Sequence, residues 1–268
     1  MQRGEFREVL RAKGRSVTNL GDPLTSLSAH LKAEGLLAPE LSGVSNAHVT
    51  VAEATTIIAV RHTGGKAVTL AADRRASAGH RIVKDDMMKL FLADSHSAIG
   101  IAGTAGLGIE FARLFALELE HVEKIEGHAL SHEGKVRRLS ILVRAHLQLA
   151  LQGLAAVPLL AGFDERLGLV RVHTFDATGG SYEEEETAAI GSGSDIARAV
   201  LDARRNILDC DREEAHCLTL QALASASRRD SATSGLRGES LPVLVDVDAE
   251  GARFVDADRI LELAKELS

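Results

Sequence analysis

The chain of 268 residues has no tryptophan, one tyrosine and seven phenylalanines, so it offers little aromatic surface on which nucleotide bases could stack. Basic charge is short as well: 31 lysines and arginines stand against 38 acids, a formal net charge of −7. The pairs Arg137-Arg138, Arg204-Arg205 and Arg228-Arg229 are dispersed among acids, which fits solvated helix faces better than a stripe that tracks phosphates. Nucleic acid is therefore not an expected partner. Only two cysteines occur, Cys210 and Cys217, at a spacing that suits neither a Cys-x-x-Cys redox pair nor half of a zinc site; reduced thiols are expected. The best apolar run, Leu147 to Phe163, is broken by Gln148, Gln152, Gly153 and Pro158, so no membrane span is expected. Met1 to Glu8 carries both charge signs and leads into no apolar segment, which argues against a secretory signal and for a cytoplasmic protein.

Several chemical motifs are missing too. There is no His-Glu-x-x-His and no Gly-x-Ser-x-Gly, so neither a catalytic metal nor a Ser-His-Asp triad is expected, and no cofactor is implied. His128 and His132, four apart, and His216, beside Cys217, read as helix-surface or capping residues. Gly191-Ser192-Gly193-Ser194 opens a helix but lacks the Lys-Ser/Thr pair of a phosphate-binding loop. The acidic run Glu183 to Glu186 has no spaced calcium ligands and reads as a solvated strand edge or turn.

What is present is an apolar content of 45%, enough for a substantial core. Residues 1–54 are punctuated by Gly14, Gly21-Asp22-Pro23, Gly35, Pro39 and Gly43 and read as an appendage. From Thr55 the pattern is regular. Strands over Thr55 to Val60 and Lys66 to Ala72 flank a Gly64-Gly65 turn, the signature of a hairpin. Further strands are predicted over Arg81 to Val83, Leu90 to Ala93 and Ser97 to Ala102. Two long amphipathic helices follow, one through Leu107, Phe111, Leu114, Phe115 and Val122, the other from Val136 to Leu154. Strands return at Pro158 to Gly162, Gly168 to Asp176 and Ser181 to Ala188, then helices at Ser194 to Asn206 and Arg212 to Ser227. Strands Leu241 to Asp248 and Ala252 to Val255 and a helix from Ala257 complete the chain. Blocks of hairpins alternating with helix pairs specify an α+β layered protein rather than βαβ units.

The chemistry is concentrated in five short segments: Ala54-Thr55-Thr56-Ile57, Ala72-Asp73-Arg74-Arg75, Lys89, Gly100-Ile101-Ala102-Gly103-Thr104-Ala105, and Asp230-Ser231-Ala232-Thr233-Ser234-Gly235, with Gly191-Ser192-Gly193-Ser194 as a sixth. Taken singly each is bland. Thr-Thr is a common strand start, and a lone Asp–Lys pair is usually a surface ion pair worth under about 1 kcal/mol. A threonine hydroxyl is also a weak nucleophile, but a threonine freed at its amino side carries a base on the same residue.

In this order, and with Leu117-Glu118-Leu119-Glu120-His121 and Leu159-Leu160-Ala161-Gly162, residues 55–268 resemble proteasome β-type subunits of the actinobacterial kind. The resemblance implies a four-layer αββα sandwich of the N-terminal-nucleophile hydrolase type, made as a precursor whose residues 1–54 are a propeptide. Self-cleavage between Ala54 and Thr55 would turn an amide nitrogen into an amine of pKa near 8, able to accept a proton around neutral pH. By the same resemblance Thr55 attacks, Lys89 stands beside it and Asp73 holds Lys89. The Gly103 N–H serves as oxyanion hole, and Ser192, Asp230 and Thr233 support the α-amino group. The implied substrate-binding residues are Ala76, Ser77, Met87, Phe91, Ile101 and Ala105, none of them charged, which predicts cleavage after hydrophobic residues.

The implied partners are a homo-heptameric β ring, a ring of proteasome α subunits, a ring-shaped regulatory ATPase reached through the α ring, and unfolded or tagged protein substrates. Two alternatives share parts of the pattern: a subunit of a hexameric ATP-dependent threonine protease and a non-catalytic ring component. The long N-terminal segment and the Asp230 region weigh against the first; Thr55, Asp73, Lys89 and Gly103 together weigh against the second. The chain departs from the family pattern in three places. Ala54 stands where glycine is usual, and its methyl is expected to slow self-cleavage. The hairpin between Thr55 and Asp73 is two residues longer, and Thr233 and Ser234 replace the usual serine and glycine.

Overall fold

The computed structural model describes residues 55–78, 81–236 and 241–267; the expected propeptide, Ala54 included, lies outside them. In chain order the strands are β1 (Thr56–His62), β2 (Ala67–Ala72), β3 (Ala76–Ala78), β4 (Arg81–Lys84), β5 (Leu90–Asp94) and β6 (Ser97–Gly103). After two helices, α1 (Ala105–Glu126) and α2 (His132–Ala145), and the short α3 (Leu147–Leu151), come β7 (Ala156–Asp164), β8 (Leu169–Phe175), β9 (Ser181–Glu184) and β10 (Thr187–Gly191). The chain then forms α4 (Ser194–Asp202), α5 (Arg212–Ser227), β11 (Val243–Asp248), β12 (Gly251–Phe254) and α6 (Ala257–Glu266).

Strand β1 shows why the molecule is layered. Successive side chains of a strand point to opposite faces, and β1 carries the apolar run Ile57 to Val60 and is buried at every position but Arg61, so both faces must be covered. Ile57 and Ala59 pack with Leu70, Leu159, Val172 and Val245, whereas Ile58 and Val60 pack with Leu201, Leu220, Leu223 and Ile260. The first set lies between two antiparallel sheets, ordered β10-β1-β2-β11-β12 and β5-β6-β7-β8-β9. The second lies between the first sheet and helices α4, α5 and α6. A third cluster joins Phe111, Phe115 and Leu119 of α1 and Leu139 and Leu142 of α2 to Ile99, Leu160 and Phe175 of the second sheet. The order is helices, sheet, sheet, helices, the expected αββα sandwich. Gly100 of β6 faces β1 across the sheets, where a Cβ would meet Ile57 at 2.9 Å and, within its own sheet, Leu90 at the same distance. Among the described residues no helix is long and apolar enough to cross a membrane.

The Gly64-Gly65 turn joins β1 to β2, with Thr63, Gly64 and Gly65 all at positive φ, and the strands pair from Ile57 opposite Ala72 to His62 opposite Ala67. Elsewhere the boundaries shift. The run predicted as one strand, Ser181 to Ala188, is two: β9 pairs with β8 in one sheet and β10 with β1 in the other, the chain crossing over at Glu185 and Glu186. The predicted helix Val136 to Leu154 divides at His146, whose Nδ1 lies 2.9 Å from the Leu142 carbonyl oxygen. The helix predicted to reach Asn206 stops at Asp202, with Asn206 left-handed.

Two histidines also require correction. His128 is exposed, but His132 and His216 are buried rather than on helix surfaces. His132 Nε2 lies 3.2 Å from His173 Nδ1, while His216 Nε2 lies 3.0 Å from Asp246 Oδ1. Thr69 Oγ1 donates to the same Asp246 oxygen at 2.8 Å and lies 3.2 Å from Nε2 of His62, itself fully buried. Burial lowers the pKa of His62 to about 4 and, with the neighbouring His173, that of His132 to about 3. Both side chains fold neutral, and the unfolded chain binds more protons below about pH 6.5, the ordinary histidine value. Stability should thus be complete above that pH and fall as pH drops toward 4. Thermal unfolding followed from pH 7 to pH 4.5 should show this decline, and the slope should be shallower in His132→Gln; a flat profile would contradict the buried neutral assignment.

Candidate active site

Asp73 follows β2 directly and is fully buried. Its carboxylate accepts from four donors, three of them in separate segments of the chain. Oδ1 accepts from the Thr56 backbone N–H at 2.9 Å and from Lys89 Nζ at 2.7 Å. Oδ2 accepts from the backbone N–H groups of Arg75 at 2.9 Å and Ser234 at 3.0 Å. Lys89, just before β5, is itself only 4% exposed. Burial pulls its pKa below the ordinary lysine value, and the Asp73 carboxylate works in the opposite direction by attracting the ammonium. Because Thr56 N–H and Lys89 Nζ share one oxygen, the lysine head lies within two hydrogen-bond lengths of the peptide that links Thr55 to Thr56.

A second carboxylate, Asp230, lies just beyond α5. Oδ2 accepts from Ser192 Oγ and Thr233 Oγ1, both at 2.6 Å, and Oδ1 from the Ala232 N–H at 3.0 Å. Partial burial works against its ionisation, but these donors outweigh it and hold the pKa below the usual aspartate value. Thr233 Oγ1 is also 2.6 Å from Thr56 Oγ1, which accepts in turn from the Gly193 N–H at 3.1 Å. Thr55, 4% exposed, heads this arrangement, its carbonyl oxygen accepting from the Ser192 N–H at 2.9 Å.

The approach is so close that only glycine fits at two positions of the β10–α4 turn. Gly191 has φ +97°, and a Cβ there would stand 1.8 Å from the Thr55 carbonyl oxygen; at Gly193 it would stand 2.4 Å from Thr56 Oγ1. The glycines of this segment make room for the first two residues of the site rather than for a phosphate. Gly103 ends β6 with φ +110°, its Cβ position occupied by the Ala155 carbonyl oxygen at 2.2 Å, and Thr104 leads from it into the N-terminus of α1.

The expected substrate-binding residues are divided among several elements. Ala76 and Ser77 belong to β3, Met87 precedes Lys89 with its N–H donating to the Arg74 carbonyl at 2.9 Å, and Ala105 begins α1. Phe91 and Ile101 share the apolar cluster beneath α1. A surface cavity of about 470 Å³ lies elsewhere, lined by Glu133, Arg137, Arg144, Arg171 and His173 among others, and includes none of these residues. Among the described residues no group of three or more His, Cys, Asp or Glu is placed to hold a metal ion.

The sequence reading omitted two participants, Thr56 and Ser234. Ser234 Oγ accepts from the Arg74 N–H at 3.1 Å and stands 3.5 Å from Asp73 Oδ2. It fills the position where the family pattern has glycine, so its effect is to add a polar atom beside Asp73. The burial of the Asp73–Lys89 pair gives a direct stability test. Asp73→Asn removes the carboxylate hydrogen-bonded to a buried ammonium and should lower the unfolding free energy by about 3 kcal/mol. Adding Lys89→Met should recover part of that loss in denaturant titrations. A cost under about 1 kcal/mol would be that of a solvated surface pair.

Comparison with known proteins places this arrangement. The model of the family described as "Proteasome subunit" matches residues 51–236. The chain is 46% identical over 220 residues to a protein named proteasome subunit beta from Acidothermus cellulolyticus, covering 78% of this chain and 73% of that one. A protein of the same name from Streptomyces griseus is 44% identical over 233 residues, covering 85% and 80% of the two chains. Another from Nocardia farcinica is 42% identical over 268 residues, covering 91% of each. With the family model spanning the Thr55, Asp73, Lys89 and Asp230 segments and relatives at 42–46% identity, the chain belongs to the proteasome subunit family.

Proposed function

We propose that this protein is the catalytic β subunit of a 20S proteasome, a threonine endopeptidase that cuts unfolded proteins with Thr55 after residues 1–54 have been removed. The observation that carries the reading is the buried Asp73–Lys89 pair tied through one carboxylate oxygen to the peptide beside Thr55. In the precursor the Thr55 nitrogen is an amide and cannot act as base. Once freed, the amine takes the hydroxyl proton as Oγ1 attacks the scissile carbonyl, and the proton later leaves with the amine product. Lys89 favours the neutral amine and the developing alkoxide, Asp73 fixes Lys89, and the Gly103 N–H stabilises the tetrahedral oxyanion. Ser192, Asp230 and Thr233 orient the amine.

The subunit works, in this reading, in the cytoplasm within seven-membered β rings flanked by α rings, fed through them by an ATPase ring. Enclosure suits a hydrolase whose pocket is apolar and permissive. Residues 1–54 shield the site until assembly. The hexameric-protease and non-catalytic alternatives are not favoured, since the relatives at 42–46% identity carry the name proteasome subunit beta.

Intact-mass measurement after co-expression with an α subunit tests the reading. The wild-type chain should begin at Thr55 and Thr55→Ala should retain all preceding residues; full-length mass in both, despite ring assembly, would sink it. The apolar lining gives a second expectation. Met87→Glu should raise cleavage after lysine and arginine by about tenfold relative to leucine, the scale of a single pocket contact. An unchanged preference across a peptide panel would remove Met87 from the pocket.

A further inference from the structure

Thr56 has hydrogen bonds that reach both carboxylate clusters of the site. Its backbone N–H donates to Asp73 Oδ1, the oxygen that also holds Lys89. Its backbone carbonyl accepts from the Asp73 N–H at 3.2 Å. Its side chain turns to the other cluster, where Oγ1 contacts Thr233 Oγ1 at 2.6 Å and accepts from the Gly193 N–H at 3.1 Å. The direction of the Thr56–Thr233 bond follows from proton counting. Thr233 has one hydroxyl proton, and the ionised Asp230 can only accept, so that proton lies on the 2.6 Å bond to Asp230 Oδ2. Thr56 must therefore donate to Thr233. The result is a directed chain, Gly193 N–H to Thr56 O–H to Thr233 O–H to Asp230, with every link within 3.1 Å.

We propose that Thr56 is a positioning residue that fixes Asp230 and Ser192 relative to Lys89 around the freed Thr55 amine, so the second residue of the mature chain sets the proton affinity of the first. The inference rests on the N-terminal-nucleophile reading of Thr55. Thr56 is fully buried, and a buried hydroxyl that both donates and accepts is anchored in one rotamer. The absence of a side chain at Gly193 is what admits it, since a Cβ there would also come within 3.0 Å of Thr233 Oγ1. A valine at 56 would keep the shape, the β-branching and both backbone bonds to Asp73 while removing only the hydroxyl.

The test compares Thr56→Val and Thr56→Ser in the assembled, processed particle, with pH profiles of kcat/KM on a hydrophobic peptide substrate. Wild type beginning at Thr55 and an inactive Thr55→Ala are the controls for the parent reading, and they stand or fall apart from this comparison. Thr56→Val should lower kcat about tenfold with KM within twofold of wild type. Its acid limb should move to lower pH by at least about half a unit, because a less firmly placed Asp230 stabilises the ammonium form less. Thr56→Ser, which keeps the hydroxyl, should return both quantities to within threefold and a few tenths of a unit. A wild-type rate and profile in Thr56→Val would overturn the proposal. So would equal impairment of both variants with an unmoved acid limb, which is the mark of a packing role alone.

Discussion

The fully buried carboxylate of Asp73 is the constraint on which the rest of the site depends. An ionised group taken out of water is tolerated only if its oxygens are met by donors, and here they come from the start of β1, the segment before β5, the residue before β3 and the loop beyond α5. Three of those donors lie 16, 17 and 161 positions from Asp73, so satisfying one side chain assembles the site. The αββα frame makes this possible, because the ends of β1 and β2 meet in one sheet while Lys89 leads into the other.

The two sheets share the work unequally. The first carries Thr55 at the head of β1 and, through β10, the glycine turn that closes over it. The second brings Lys89, just before β5, and Gly103, at the end of the neighbouring antiparallel β6, with the Ile101 N–H donating to the Lys89 carbonyl at 3.2 Å. The intersheet core of small and branched side chains, Ala59, Ala72, Ala98, Ala102 and Ile57 among them, lets the sheets approach closely enough for Asp73 to reach Lys89. Large aromatics are scarce in the sequence, and the buried members of this intersheet core are all aliphatic.

Much of this frame was legible in the sequence wherever local chemistry sets the outcome. The β1–β2 hairpin is marked by Gly64-Gly65, and α5 opens with a capping box formed by Asp211 and Glu214. What local pattern could not show was which sheet a strand joins. Ser181 to Ala188 is uniformly compatible with extended chain, and only the pairing of Thr187–Gly191 with β1 separates β10 from β9. The histidines failed for a related reason: a helical position reveals that His132 or His216 could be polar surface, while His173 and Asp246 lie on distant strands. In the site itself, roles for Asp73, Lys89, Gly103, Ser192, Asp230 and Thr233 were implied by the family resemblance of an ordered set of motifs. Thr56 and Ser234 stand in the same motifs but were given no role, because a β-branched residue at a strand start and a serine in a loop do not show that one reaches Thr233 and the other Asp73.

The central claim is that Thr55 carries both the nucleophile and, once freed, its base. Covalent capture followed by peptide mapping tests this most directly. A hydrophobic peptidyl β-lactone, which acylates the hydroxyl that attacks it, should inactivate the assembled particle and leave one acyl group per β chain. Tryptic mapping should place it on the peptide Thr55–Arg61, with a free α-amine at Thr55 and the ester on its Oγ1. Inactivation with the acyl group on any other residue, or on a chain still continuous through Ala54, would contradict the account.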